Sequence, residues 1–279
     1  MGIVKDSTNT FVLLHNNLYP RSSAILLQNI KELLQRMQVN IANTDLIALD
    51  NKFLSLLKEN HYSNLLKLLI KVKQDGNRLL IYDSQSLLEV IKFIKKLYED
   101  TKFKDRLKDS LVEGEIDVLE LERCIKFVSE LALEGFVKSR ECRSWQGFRC
   151  AFLMDRELED FIKQTQFLEW MKNLLGLEIF PFYKESYDYL LKVDKHLAYN
   201  MAASDYYEMV DYGIDFIITL NIGNFELLDG HSKMIQKSSG RDDLEIPVLF
   251  LPQVLLATFR DVNSLKLCFN QHKITPKML

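Results

Sequence analysis

The chain has 279 residues, 47% hydrophobic and 27% charged, which is enough apolar content for one large core or two modest ones and excludes disorder as a global description. Its 36 Lys and Arg against 39 Asp and Glu leave a formal net charge of −3, so no overall field draws it to nucleic acid or to an anionic membrane. Met1–Asp6 lacks the basic and apolar regions of a signal peptide, and the longest apolar run, Ile246 to Phe259, is too short for a bilayer span and holds two prolines. Cytoplasmic residence is the expectation.

In chain order, strand-like runs fall at Phe11 to His15, Val39 to Ala42, Leu79 to Tyr82, Cys150 to Leu153, Leu177 to Phe182, Phe216 to Leu220 and Val248 to Leu251. Helical patterns follow. Pro20 and Ser22 open a helix with Leu26, Ile30, Leu33, Leu34 and Met37 on one face, and after the fourth strand Leu158, Phe161, Ile162, Trp170, Leu174 and Leu175 repeat that spacing. The stretch from Gln85 to Val137 reads as helical and charged. Strand, helix and strand with short joins predict an α/β fold with small parallel sheets flanked by helices.

The pattern occurs twice. Phe11-Val12-Leu13-Leu14 recurs as Cys150-Ala151-Phe152-Leu153, Met37 to Ile41 as Leu175 to Ile179, and Leu80-Ile81 as Ile218-Thr219. All three recurrences lie at a spacing of about 138 residues, the mark of a duplicated domain. Two Rossmann-like repeats are therefore expected, over residues 1–137 and 138–279, joined near Glu134 to Gly147.

The four cysteines, at 124, 142, 150 and 268, form no CxxC pair and no short metal spacing, so free thiols in a reducing compartment are expected. The arginines around Cys142 and Cys150 would favour a thiolate, but no general base accompanies them. No G-x-G-x-x-G, Walker A, G-x-S-x-G or H-E-x-x-H pattern is present. Among the histidines His15, beside Asn16-Asn17 at the end of the first strand, is the best placed.

The order of these landmarks resembles the duplicated cysteine-rich CCG domain of the heterodisulfide reductase family, found in its B-type subunit and shared with glycolate and lactate oxidation iron–sulfur subunits and with an unusual class of succinate dehydrogenase and fumarate reductase subunits. The words that carry the resemblance are Phe11 to Pro20, Met37 to Ile41, Leu175-Gly176-Leu177-Glu178, Gly213 to Asp229 and Ile246 to Leu255. In that family each repeat supplies a lone Cys, a Cys-Cys-Gly and a Cys-x-x-Cys to iron–sulfur clusters. The matching positions here hold Asn17, the neighbourhood of Leu49-Asp50-Asn51, and Asp83 with Ser86 in the first repeat. The second repeat offers Asp155 or Arg156, the neighbourhood of Ser186-Tyr187-Asp188, and Asn221 with Asn224. None is cysteine, so the resemblance implies a descendant without an iron–sulfur cluster or other cofactor, with no resident metal and no catalytic residues.

Two readings of these positions follow. Asn, Asp and Ser satisfy free N–H groups where a helix starts, so Asp83 to Ser86 and Asn221 to Asn224 read first as helix caps. The alternative is a polar pocket for a small molecule or a hard cation, lined by Asn17, Asp83, Ser86, Asp155, Asn221 and Asn224 at the C-terminal edges of parallel strands. At the level of function the first reading predicts a noncatalytic binding or scaffolding subunit of a redox or respiratory assembly, with a protein partner. The second predicts an oxidoreductase-related enzyme subunit. An aromatic belt from Phe180 to Tyr207 is either packed core or a partner surface.

Overall fold

A computed structural model describes residues 10–42, 47–49, 58–109, 116–136, 143–241 and 245–277. Cys142, Asp50, Asn51 and part of the expected join between the repeats lie outside them. The first half runs β1 (Thr10–Asn16), α1 (Pro20–Arg36), β2 (Asn40–Ile41), β3 (Ile47–Leu49), α2 (Lys58–Gln74), β4 (Arg78–Ile81), α3 (Ser84–Glu99), α4 (Thr101–Asp109), α5 (Val118–Arg123), β5 (Ile125–Phe127) and α6 (Val128–Gly135). The second half runs β6 (Arg149–Asp155), α7 (Glu159–Gln164), α8 (Phe167–Leu175), β7 (Glu178–Lys184), α9 (Lys195–Asp211), β8 (Phe216–Thr219), α10 (Ile222–Phe225), α11 (Ser232–Ser239), β9 (Val248–Phe250) and α12 (Leu251–Leu256).

Each half builds one wholly parallel sheet with the same strand order, β2-β1-β4-β5 in the first and β7-β6-β8-β9 in the second, with β3 extending the first beside β1. The central strands pair Leu14 with Ile81 in one sheet and Leu153 with Thr219 in the other. Their apolar runs are buried on both faces, as strands covered by helices require. α1 starts at Pro20, whose fixed φ suits the first helical turn, and turns Ile25, Leu26, Ile30, Leu33 and Leu34 inward.

Two expectations need correction. The segment from Gln85 to Val137 is not helical throughout, since Ile125–Phe127 forms β5 beside β4; three residues are too short for a periodic signal. The helical stretch after β6 is also interrupted: a 3₁₀ turn at Arg156–Leu158 precedes α7, and Gln166, with φ 54°, breaks the chain between α7 and α8.

The sheets meet through their helices and through the C-terminal ends of their strands. α1 packs against α10 and α12 of the second half. Arg36 forms a bidentate pair with Asp261, its guanidinium 4.7 Å from the centre of the Phe259 ring. At the strand ends the Ser84 N–H donates to the Leu220 carbonyl oxygen at 3.1 Å, joining the start of α3 directly to the end of β8. Among the described residues no helix is long and apolar enough to cross a membrane.

Candidate functional site

The turns after β1, β4, β6 and β8 converge where the two sheets face each other. α3 starts after Asp83, whose carboxylate accepts from the Ser86 N–H at 3.0 Å. α10 starts in the same way, with Asn221 Oδ1 accepting from the Asn224 N–H at 2.8 Å. Both turns thus carry side-chain caps for their first free amides.

These caps are linked across the boundary. Asp155, at the end of β6, receives the Ser84 hydroxyl on Oδ2 at 2.5 Å and the Asn221 amide on Oδ1 at 2.7 Å. Asn16 Nδ2 donates to Asp83 Oδ1 at 3.2 Å. Asp188, on the 3₁₀ turn Asp188–Lys192, collects a second set: the Tyr19 hydroxyl on Oδ2 at 2.9 Å, and Gln85 Nε2 at 3.2 Å with the Ser186 hydroxyl at 2.7 Å on Oδ1. Its carboxylate lies so close to Gly223 that a Cβ added there would overlap Asp188 Cγ and both carboxylate oxygens. Glycine at 223 is what allows the approach.

Of the positions singled out in the sequence, Asp83, Ser86, Asp155, Asn221 and Asn224 are buried at this junction. Asn17 is not with them: it is exposed, and its neighbour Asn16 turns inward. Asp188, from the Ser186-Tyr187-Asp188 neighbourhood matched in the sequence, joins them, and Tyr19, Ser84 and Gln85 complete the set, although no sequence pattern marks these three individually as site residues. The Asp83-Ser84-Gln85-Ser86 run holds a usable signal for two of them, because four consecutive polar residues after a buried strand need partners. Asp83 Oδ2, Ser86 Oγ and Asn224 Nδ2 are buried without a hydrogen-bond partner among the described residues.

Burial dominates the electrostatics. It pushes the Asp83 and Asp155 carboxyls above the ordinary range against the opposing hydrogen bonds, and the neighbouring charge of Asp155 raises Asp83 further. Burial and then Asp188 raise the Tyr19 phenol, keeping it protonated as a donor. The His15 imidazole is pushed downward by burial and Lys31, and its Nδ1 lies 2.6 Å from the hydroxyl of buried Tyr82.

Outside the buried set a half-open cleft of about 610 Å³ is walled by Tyr19, Gln85, Asp155 and Asp188. Its charged rim is mixed. Lys92 pairs with Glu157 at 2.7 Å and Lys184 with Glu208 at 2.6 Å, and Arg156, Lys192, Glu89 and Glu185 also line the cleft.

An iron–sulfur cluster does not fit these residues. Cluster irons take thiolates, and the corresponding positions present amides, hydroxyls and carboxyls already bonded to one another. The described cysteines are elsewhere: Cys124 ahead of β5, Cys150 buried within β6, and Cys268 in the C-terminal segment. Burial raises all three thiols, which opposes the thiolate form. Among the described residues no group of three or more His, Cys, Asp or Glu is arranged to hold a metal ion. The aromatic belt divides, with Tyr206 and Tyr207 in the core and Tyr189 58% exposed.

Residues 187–273, in the second half of the chain, match the family model of the HdrB-like C-terminal domain. No curated protein matches the sequence. A crystal structure of a hypothetical protein from Helicobacter pylori is similar over 98% of this chain at 20% identity and a TM-score of 0.77, a likeness of fold. That match takes in 53% of the other protein, so this chain spans about half its length. A periplasmic sugar-binding protein from Pseudomonas fluorescens is similar at 10% identity and a TM-score of 0.30, over 87% of this chain and 68% of that one.

Proposed function

We propose that this protein is a cluster-free relative of the HdrB-like proteins of the heterodisulfide reductase family. It acts as a noncatalytic binding or scaffolding subunit of a redox or respiratory assembly in the cytoplasm. Two Rossmann-like repeats, residues 1–137 and 138–279, are held in one arrangement by the polar junction between them. The observation that carries the reading is the convergence on Asp155: the Ser84 hydroxyl reaches it from the first half and the Asn221 amide from within the second, so Asp155 and Asn221, two positions that resemble cluster ligands, are bonded into the junction between the halves. An iron–sulfur site of the family's kind would need thiolates that these positions do not hold, and the Ser84 hydroxyl is directed at a buried carboxyl.

The test is recovery of the tagged protein from its native source under several growth conditions. A stoichiometric partner supports the reading, and isolation of the lone monomer throughout counts against it. A second reading rests on the cleft beside Tyr19 and Asp188, which has the size of a small-molecule site. Thermal stabilisation by a metabolite pool, lost on changing Arg156 to Ala, would favour that reading over scaffolding.

A further inference from the structure

A second groove, of about 620 Å³, lies on the other side of the Lys92–Glu157 ion pair and is built from both halves. Its floor follows α3, where Leu87, Ile91, Ile94 and Tyr98 recur at steps of four, three and four residues, the spacing of a helix-packing seam. Phe127 at the end of β5 and Phe161 on α7 form the opposite wall. Leu87 and Ile94 are buried at the base, but Ile91 is 37% and Tyr98 51% exposed, so the seam lacks its outer partner among the described residues. From residue 87 to residue 98 the seam runs about 16 Å, or three helical turns.

The charge around this floor is net acidic even though Lys95 pairs with Glu99 at 3.8 Å and Lys92 with Glu157 at 2.7 Å. Glu99, Glu122, Glu130, Glu157 and Asp160 line the groove, and Lys95 is the single cation lining it among the described residues. The Glu122 carboxylate is held by the Tyr98 hydroxyl at 2.9 Å, and the Glu130 carboxylate by the Phe127 N–H at 2.9 Å, so both acids are fixed at the edges of the apolar strip. A net-acidic rim around an apolar strip disfavours an acidic or neutral occupant and attracts one with flanking Lys and Arg.

We infer that the groove between α3 and α7 docks an amphipathic helix of a protein partner, about three turns long, with an apolar stripe flanked by Lys and Arg. This rests on the reading of the protein as a binding subunit and specifies the surface and chemistry of its partner. The apolar stripe completes the 87-91-94-98 seam, and the flanking cations meet the carboxylates of both halves. Because α3 and α7 come from different halves, docking here also reports on their relative position.

The probe is a fluorescent helical peptide with Leu along one face and Lys elsewhere, tested on the full chain beside a peptide in which Glu replaces Lys. The expected result is salt-sensitive binding of the Lys peptide alone, with hydrogen-exchange protection on α3 and α7. Ile91→Asp with Tyr98→Ser should weaken it about tenfold or more, and Glu157→Lys with Asp160→Lys should do the same without touching the apolar floor. Should the first double variant fold poorly, Tyr98→Ser alone and the wild-type protection map decide. Equal binding of both peptides, binding of neither, or protection confined to the Tyr19 cleft would overturn the inference. So would a concentration-dependent dimer abolished by Ile91→Asp, which would make a second copy the occupant. A native partner held equally by wild type and groove variants would overturn the groove while leaving the binding reading intact; absence of any partner for wild type would remove that reading itself. A partner held by wild type, released by the Lys peptide and lost in both variants would support the assignment.

Discussion

Ser84 stands at the first position of α3 and Asp155 at the last position of β6, and the hydroxyl of one donates to the carboxyl of the other at 2.5 Å across the boundary between the two sheets. Both side chains are buried, and the same Ser84 supplies a backbone N–H to Leu220. One residue of the first half therefore meets the ends of both central strands of the second.

Removing that hydroxyl should be costly. Ser84→Ala leaves Asp155 Oδ2 without its donor in a buried site, and a loss of roughly 1–3 kcal/mol is expected. Asp155→Asn should cost less at neutral pH, because burial already disfavours the charged carboxyl that the substitution removes. The sign of the pH dependence separates the two variants. A carboxyl with its pKa raised in the folded state binds more protons there, so its contribution is fully present below the unfolded value of 3.8 and is lost as pH rises through the folded one. The stability of wild type minus that of Asp155→Asn should fall with rising pH in urea titrations, and a difference that rises would contradict the assignment.

Gly223 gives a sharper test of the Asp188 anchor. Gly223→Ala places a methyl group where the Asp188 carboxylate sits, and the carboxylate must leave Tyr19 and Gln85. A loss of about 1–3 kcal/mol is expected from overpacking and broken hydrogen bonds together. Tyr19→Phe should cost about 1 kcal/mol in the wild type and almost nothing beside Gly223→Ala. Full additivity of the two in a double-mutant cycle would show that they act on different contacts.

The repeated helix ends predict a stabilising change. α8 ends at Gly176 in the left-handed region, φ 75°, whereas the corresponding end of α1 places Gln38 there at φ 56°, with the Val39 N–H returning to the Leu34 carbonyl oxygen at 3.0 Å. A side chain is strained in that conformation and glycine is not. Gln38→Gly should raise stability by about 1 kcal/mol, and Gly176→Gln should lower it by a similar amount. Thermal unfolding midpoints read both; a loss on Gln38→Gly would mean that the Gln38 side chain contributes more than its backbone strain.

The sequence carried the alternation of strands and helices because each central strand holds a short apolar run between polar turns. The caps at Asp83 and Asn221 were legible for the same reason, since a polar residue three positions before another at a strand end has a local use. The inward residue at the end of β1 was not legible: Asn16 and Asn17 are chemically alike, and only the strand's pleat decides which is buried. Asp188 and Tyr19 are 169 residues apart, and no local pattern announces a bond between them. β5 escaped because its three residues fit a helical pattern as well as a strand.

Acid stability should carry the mark of His272. Its ring is buried against Phe225 and Phe269, with Nε2 2.9 Å from Gln253 Nε2, so the neutral imidazole accepts from the Gln253 amide. Burial, then the nearby Arg21 guanidinium, lowers its pKa from 6.5 to about 4. The unfolded chain therefore binds the extra proton first as pH falls. The contribution of His272 is complete above 6.5 and is lost between 6.5 and about 4, to a depth on the order of 3 kcal/mol. The raised carboxyls of Asp83, Asp155 and Asp229 work in the opposite direction, losing stabilisation as pH rises. His272→Gln isolates the histidine, because its amide oxygen accepts a hydrogen bond without titrating. The stability of wild type minus that of His272→Gln should increase from pH 4 to pH 6.5 and level off above. A flat difference across that window would mean that the histidine holds its proton equally well folded and unfolded, and that the contact with Gln253 does not require the neutral ring.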